Sequence, residues 1–118
     1  MASASLSTAL SAEFAAYRRA RRNRDKQSVW AAHERMHILS QPLLLQHVRV
    51  HVMMLGWALR TGDGREAVGQ LARLFLAPLG ALTVRIPWGN TGRSSVSAFK
   101  SMPLPHNLRH LFAEPPGP

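Results

Sequence analysis

The sequence predicts an all-α protein in which two antiparallel helical hairpins form a four-helix, tetratricopeptide-like packing with an extended C-terminal tail. Apolar residues recur at intervals of three and four, which is the period of a helix with one buried face. Proline and glycine divide this pattern into four stretches with short connections, which make consecutive helices antiparallel neighbours. We therefore expect a helical domain over residues 1–86 and an extended tail over residues 87–118, whose short terminal helix packs on that domain.

The first hairpin is predicted from two apolar stretches separated by the polar residues 23–27. Its first helix should cover residues 7–22, because the apolar side chains share one face: Leu6, Leu10, Phe14 and Tyr17. The second helix should cover residues 28–41. Pro42 ends it, since the residue before a proline is pushed away from helical angles.

The second hairpin follows directly. Pro42 can begin the third helix because its missing N–H costs nothing in a first turn, and a Thr-Gly-Asp-Gly sequence stops the helix after about residue 60. A fourth helix is expected over residues 65–77, kinked or ended by Pro78, with another turn or two over residues 79–84. Its predicted inward side chains are Val68, Leu71, Phe75 and Leu74.

The tail is rich in proline, glycine and small polar residues over residues 87–105, and residues 106–112 are expected to form a last short helix. Gly89–Arg93 could present backbone N–H groups and a guanidinium to an anion. The glycine spacing is not that of a P-loop, so a turn that fixes the tail on the helices is the favoured interpretation.

Composition narrows the classes of function. Fifteen Lys and Arg against six Asp and Glu give a net charge of +9, and 46% of the 118 residues are hydrophobic, which is enough for one core. Cysteine is absent, so disulfides and thiolate chemistry are excluded. Aromatic residues are few and the positive charge is spread along the chain, so nucleic acid is not an expected partner. The sequence has no pattern of a catalytic triad or of paired carboxylates, so an enzyme is not expected.

No membrane segment is expected, because the apolar stretch over residues 43–59 contains polar and charged side chains. No secretory signal fits, so a cytoplasmic protein is expected. The Ala-, Ser- and Arg-rich composition of residues 1–24 also suits an organellar transit peptide, but its apolar spacing favours a packed helix.

Four histidines lie symmetrically about Pro42. His37 and His47 are five residues before and after it, and His33 and His51 are nine residues before and after it. The two histidines on each helix are spaced i, i+4, so they share a face. Equal distance from the turn of a hairpin gives equal height, so His37 should face His47, and His33 should face His51.

This constellation predicts one transition-metal ion between the second and third helices. The predicted ligands are His37, His47 and His51, together with Glu34 or His33. Glu34 and His37 form a Glu-x-x-His unit of the kind that supplies ligands in helical carboxylate proteins, but the acids are too few for a dinuclear centre. Imidazole and carboxylate ligands suit Zn, Cu, Ni, Co or Fe.

An alternative is that the histidines are structural, with ring nitrogens that meet carbonyl or carboxylate oxygens in the core. The chain would then be a tetratricopeptide-like protein-interaction module with a groove lined by the first helix of each hairpin. A homodimer is a further expectation, because the third helix also has apolar residues on its far side: Val50, Met53 and Trp57.

Four motifs carry a resemblance to a known family. They are Glu34-Arg35-Met36-His37-Ile38-Leu39-Ser40-Gln41, His47-Val48-Arg49-Val50-His51, Gly89-Asn90-Thr91-Gly92 and Met102-Pro103-Leu104-Pro105. From about Phe14 to Leu108 the chain resembles a family of small uncharacterised bacterial proteins, one of the "domain of unknown function" families, with His-Ile-Leu-Gly-Gln, His-x3-His and Gly-Asn-Thr-Gly motifs. Met36 and Ser40 depart from the Ala and Gly of the family pattern.

The resemblance implies an all-helical bacterial protein, of a kind often found among metal-resistance genes, with no known activity. Its pattern gives less support to His33 than to the other candidate residues, which are Glu34, His37, Gln41, His47 and His51. Residue spacing and resemblance together favour a small cytoplasmic protein that senses, stores or delivers a transition metal.

Overall fold

A computed structural model of the chain describes residues 2–83, 88–96 and 100–112, with side chains described for residues 5–75, 88–96 and 100–112. These residues form four α-helices and one 3₁₀-helix: α1 (Ala2–Arg22), α2 (Lys26–Ser40), α3 (Leu44–Arg60), α4 (Gly64–Thr83) and the 3₁₀-helix His106–Leu111. Consecutive α-helices pack on one another. The described part of the chain contains no strand, so the predicted all-α fold class is confirmed.

Helix α1 packs on α2 through the apolar spacing that predicted it. Leu6, Leu10 and Tyr17 are buried on its inner face. The turn to α2 places Arg24 in the left-handed region at φ 55°, and the Asp25 side chain then accepts a hydrogen bond from the Ser28 backbone N–H at 3.1 Å. This N-cap starts α2 two residues earlier than the sequence analysis placed it, because a capping carboxylate satisfies the free N–H groups of the first turn.

Helix α3 shows a different inner face from the predicted one. Val50 and Met54 are completely buried, and Trp57 is also buried, whereas Leu44 is 43% exposed. The prediction that Val50 and Trp57 lie on the far side of this helix is therefore wrong. The fully buried Val29, Met36 and Leu39 of α2 belong to the same apolar core, so α3 buries the side that faces α2.

Helix α4 differs most from its prediction, and it continues past Pro78 to Thr83. Val68, Leu71 and Phe75 were expected inside but are 69%, 47% and 78% exposed. The buried residues on α4 are instead mostly polar or charged: Glu66, Ala67, Gln70 and Arg73. Apolar periodicity found the helix but assigned the wrong face, because this helix turns a polar stripe inward.

The described part of the tail lies on the helices and closes the core. Leu104, Leu108 and Phe112 are buried, and the Phe112 ring meets the Trp88 ring edge to face with centroids 5.6 Å apart. The predicted terminal helix is present as a 3₁₀-helix, His106–Leu111. None of the described helices is long and apolar enough to cross a membrane.

Candidate metal centre

Three histidine rings from α2 and α3 converge on one point. The Nε2 atoms of His37 and His51 are 3.1 Å apart, those of His47 and His37 are 3.0 Å apart, and those of His51 and His47 are 3.1 Å apart. Among the described residues, this is the group of His and acidic side chains whose ligand atoms could hold a metal ion. The i, i+4 spacing of His47 and His51 puts both rings on the side of α3 that faces His37.

The opposite ring nitrogens of two of these histidines fix their tautomers. His37 Nδ1 lies 2.6 Å from the backbone oxygen of Asn90. A carbonyl oxygen only accepts hydrogen bonds, so His37 carries its hydrogen on Nδ1. His51 Nδ1 lies 2.7 Å from Oε1 of Gln70 and donates to it for the same reason.

The orientation of the Gln70 amide is fixed independently. Its nitrogen donates to Oε2 of Glu66 at 2.7 Å and to the backbone oxygen of Gly92 at 2.8 Å. Both partners are acceptors, so the amide nitrogen must face them, and Oε1 is left for His51. A flipped amide would break both hydrogen bonds.

It follows that the Nε2 atoms of neutral His37 and His51 present lone pairs to each other at 3.1 Å. His47 can offer at most one hydrogen to the same point. Three nitrogen atoms at these distances therefore share fewer hydrogens than a closed set of hydrogen bonds requires. A cation between them would accept all three lone pairs.

The size of the Nε2 triangle suits a transition-metal ion. With edges of 3.0–3.1 Å, its centre lies about 1.8 Å (the edge divided by √3) from each nitrogen, slightly less than the metal–nitrogen bond of about 2.0–2.1 Å in zinc sites. An ion with bonds of that length would sit roughly 1 Å out of the plane of the three atoms. The three rings thus fit the ion without rearrangement.

Burial keeps these imidazoles neutral, which is the form that binds metal. Desolvation lowers the pKa of His47 to about 4, and the pKa of His37 falls well below its ordinary value for the same reason, with further contributions from the neighbouring rings. Desolvation also lowers the pKa of His51, although its hydrogen bond to Gln70 opposes the shift. His37 and His51 are only 3% and 2% exposed, whereas His47 is partly exposed.

The loop over residues 89–94 covers the histidines from the tail side. Gly92 has φ +82°, and a Cβ atom at this position would come within 2.6 Å of the His37 ring. Asn90 is 1% exposed, and its Oδ1 accepts a hydrogen bond from the Gly92 N–H at 2.8 Å. The Gly89 N–H donates to Gln41 Oε1 at 3.0 Å. The glycine at position 92 is therefore required both by backbone angle and by space.

Glu66 of α4 links this loop to the centre. Its carboxylate accepts hydrogen bonds from Arg93 Nε at 2.7 Å, from the Ser94 N–H at 2.9 Å and from Gln70. Burial alone would raise the pKa of Glu66, but these hydrogen bonds lower it overall, so the carboxylate is ionised. On the same helix, Arg73 donates to the backbone oxygens of Arg93 and Val96. The loop is thus fixed as the turn that the sequence favoured.

Two predicted ligands lie apart from the three converging rings. Glu34 pairs with Arg93 at 3.5 Å, and burial raises the pKa of this carboxyl. His33 is completely buried, its ring stacks on Tyr17 with centroids 4.9 Å apart, and it meets Trp30 edge to face. The expected pairing of His33 with His51 is not seen. His33 and His37 differ by 40° around α2, which turns the His33 ring toward α1.

Sequence reasoning missed the groups that orient the rings. The predicted partners were Gln41 or a backbone carbonyl; the carbonyl of Asn90 holds His37, whereas Gln41 holds the loop. The contribution of α4 was not predicted at all. Its signal is present in the sequence as polar residues spaced i, i+4 and i+7 on an otherwise apolar helix: Glu66, Gln70 and Arg73.

The chain was compared with known proteins. No curated protein and no solved structure matches it. Residues 4–112 match a family described as a protein of unknown function (DUF3703), which confirms the expected family type and covers nearly the whole chain. The chain therefore belongs to this family of proteins of unknown function.

Proposed function

We propose that this protein binds one transition-metal ion through the Nε2 atoms of His37, His47 and His51. The observation that carries the proposal is the triangle of Nε2 atoms with 3.0–3.1 Å edges, in which hydrogen bonds to Asn90 and Gln70 leave two of the three nitrogens without a hydrogen. Neutral imidazoles held by partners on their distal nitrogens are typical of metal-ligating histidines.

The donor set suits Zn²⁺, Cu²⁺, Ni²⁺, Co²⁺ or Fe²⁺, with three imidazoles and no thiolate. We propose a role in sensing, storage or delivery in the cytoplasm rather than in catalysis. Two ligand rings are nearly inaccessible, and Gly92 lies against the His37 ring. This enclosure leaves little space for a substrate on that side and supports a protein that holds an ion.

The test is metal analysis of purified, untagged protein, followed by calorimetric titration of the metal-free protein with Zn²⁺, Cu²⁺ and Ni²⁺. We expect one ion per chain in the wild type and a loss of binding in His47→Ala and His51→Ala. Two matched controls, His33→Leu in the core and His110→Ala on the exposed 3₁₀-helix, should bind as the wild type does.

Wild-type protein that takes up none of these ions would overturn the proposal. The alternative, a protein-interaction module with structural histidines, predicts that His47→Ala lowers the melting temperature equally with and without metal. Equal loss of binding in the His33→Leu control would mean that the ligand set is not the three converging rings.

A further inference from the structure

The outer side of the α3–α4 pair carries an exposed apolar surface. In the described part of the chain, every large hydrophobic side chain that is strongly exposed lies on these two helices. We call this set the α3–α4 strip: Leu44, Leu45, Val52, Leu59, Val68, Leu71 and Phe75. Helices α1 and α2 show no such surface, so the asymmetry belongs to one hairpin.

Helical geometry makes the strip continuous. Leu45, Val52 and Leu59 are spaced by seven residues, so they form a line that drifts only about 20° per step along α3. Val52 lies 200° around α3 from the fully buried Val50, and Val68 lies 200° around α4 from the fully buried Gln70. Both lines thus point away from the histidines. Since α3 and α4 pack side by side, the lines form one outer face.

The strip is large for a monomer. Its members are between 43% and 81% exposed. Together they expose roughly 700 Å², which exceeds the roughly 300–600 Å² of the largest apolar patch on a typical monomer and approaches the roughly 800 Å² that each partner contributes to a standard interface. Burial of this area against one partner is therefore sufficient for stable association.

The charge distribution favours a second copy of the same chain. A net charge of +9 would oppose self-association if it lay on the contact surface. The densest basic cluster instead lies at the end of α1 and the start of α2, over residues 18–26, and the strip itself has no charged member. A two-helix apolar layer is also self-complementary, as a two-fold interface requires.

We propose that two copies of this chain associate through their α3–α4 strips. Each α3–α4 pair would then form an inner layer between the α1–α2 pair of its own copy and the α3–α4 pair of the other. The interface replaces the one expected from the sequence, because Val50 and Trp57 are buried inside the monomer. The proposal does not rest on metal binding.

The test is the mass in solution, measured by light scattering and sedimentation on metal-free full-length protein. The wild type should show twice the chain mass of 13.1 kDa. Leu45→Glu and Phe75→Glu change the two most exposed members of the strip, at 81% and 78%, on different helices. Each should yield a 13.1 kDa monomer with unchanged helical circular dichroism. Ser11→Glu, an exposed change on α1, should remain dimeric.

A wild type that stays monomeric over a wide concentration range would overturn the proposal, and so would dimers that persist in both Glu variants. Loss of helical signal in either variant would show that its side chain is packed inside the monomer, which also contradicts a free strip.

Discussion

His33 and His37 lie one turn apart on α2 and have opposite surroundings. His37 has partners on both ring nitrogens, whereas neither nitrogen of the completely buried His33 has a hydrogen-bond partner in the described part of the chain. A buried polar group without a partner costs stability, because it has lost its contacts with water. His33 therefore packs as an apolar ring against Tyr17 and Trp30 and weakens the core that it fills.

Substitution of this side chain gives a prediction about stability and pH. Desolvation lowers the pKa of His33 to about 4 in the folded protein, against 6.5 as its ordinary value. Below pH 6.5 the unfolded chain binds a proton that the folded chain does not, so folding stability is lost as the pH falls from about 6.5 towards 4. The loss from this group is about 2 kcal/mol at pH 5, at 1.36 kcal/mol per pKa unit.

His33→Leu removes both the unpartnered nitrogens and this proton linkage. We expect the metal-free variant to be at least as stable as the wild type at pH 7 and about 2 kcal/mol more stable, relative to that difference, at pH 5. Urea unfolding at the two pH values measures both quantities. A difference between the proteins that stays constant with pH would show that His33 is protonated in the folded state.

At the scale of elements, α4 connects the three histidines to the tail. Glu66 and Gln70 form a chain of hydrogen bonds that runs from Arg93 to the His51 ring. Each member satisfies a buried partner, so α4 exchanges apolar packing for orientation of a ligand. Its apolar residues are consequently displaced to the outer face, where Val68 and Phe75 are 69% and 78% exposed.

Gln70→Met tests this function of α4. Methionine has a similar length and shape, but its thioether cannot replace the amide oxygen that holds His51 Nδ1 or the amide hydrogens that bind Glu66 and Gly92. We expect metal affinity to fall by roughly 10–100-fold, the usual effect of loss of an outer partner of a ligand histidine. Isothermal titration with Zn²⁺ measures it.

The control for this variant is Gln46→Met, at an exposed position on α3. It should leave the affinity within experimental error of the wild type. An unchanged affinity in Gln70→Met itself would indicate that His51 is oriented by packing alone and that the chain from Arg93 is merely structural.

The sequence predicted elements more reliably than faces. Periods of three and four and the breaks at Pro42 and Gly62 located the helices, because these signals are local. The convergence of His37 with His47 also followed from local geometry, since both lie in one short hairpin. The contribution of Gln70 could not be predicted in this way: it depends on how α4 rotates against α3 and on where the tail returns, and both are set by packing between distant segments.

At the scale of the whole molecule, the three histidines join parts that are far apart in the chain. His37 comes from α2 and His47 from α3, while α4 and the tail hold the distal nitrogens through Gln70 and Asn90. An ion bound at the Nε2 atoms would therefore link four segments of the fold. Because the unfolded chain has no such arrangement, binding should stabilise the whole molecule against unfolding.

This linkage predicts how metal protection depends on pH. At a free metal concentration of 100 times Kd, stabilisation is about 2.7 kcal/mol, which corresponds to a rise in melting temperature of roughly 10 °C for a domain of this size. Protons compete for the ligands in the folded protein, and burial lowers the pKa of His47 to about 4 and lowers those of His37 and His51 as well. The rise should therefore stay nearly constant from pH 7.5 to about 5.5 and fade only as the pH approaches 4, whereas ligands with an ordinary histidine pKa would lose protection below about pH 6.5. Melting curves with and without Zn²⁺ across this range measure the profile, and His47→Ala should show no rise at any pH. A rise that is already halved at pH 6.5 would contradict ligation by these buried rings and would indicate that the ion binds exposed histidines instead.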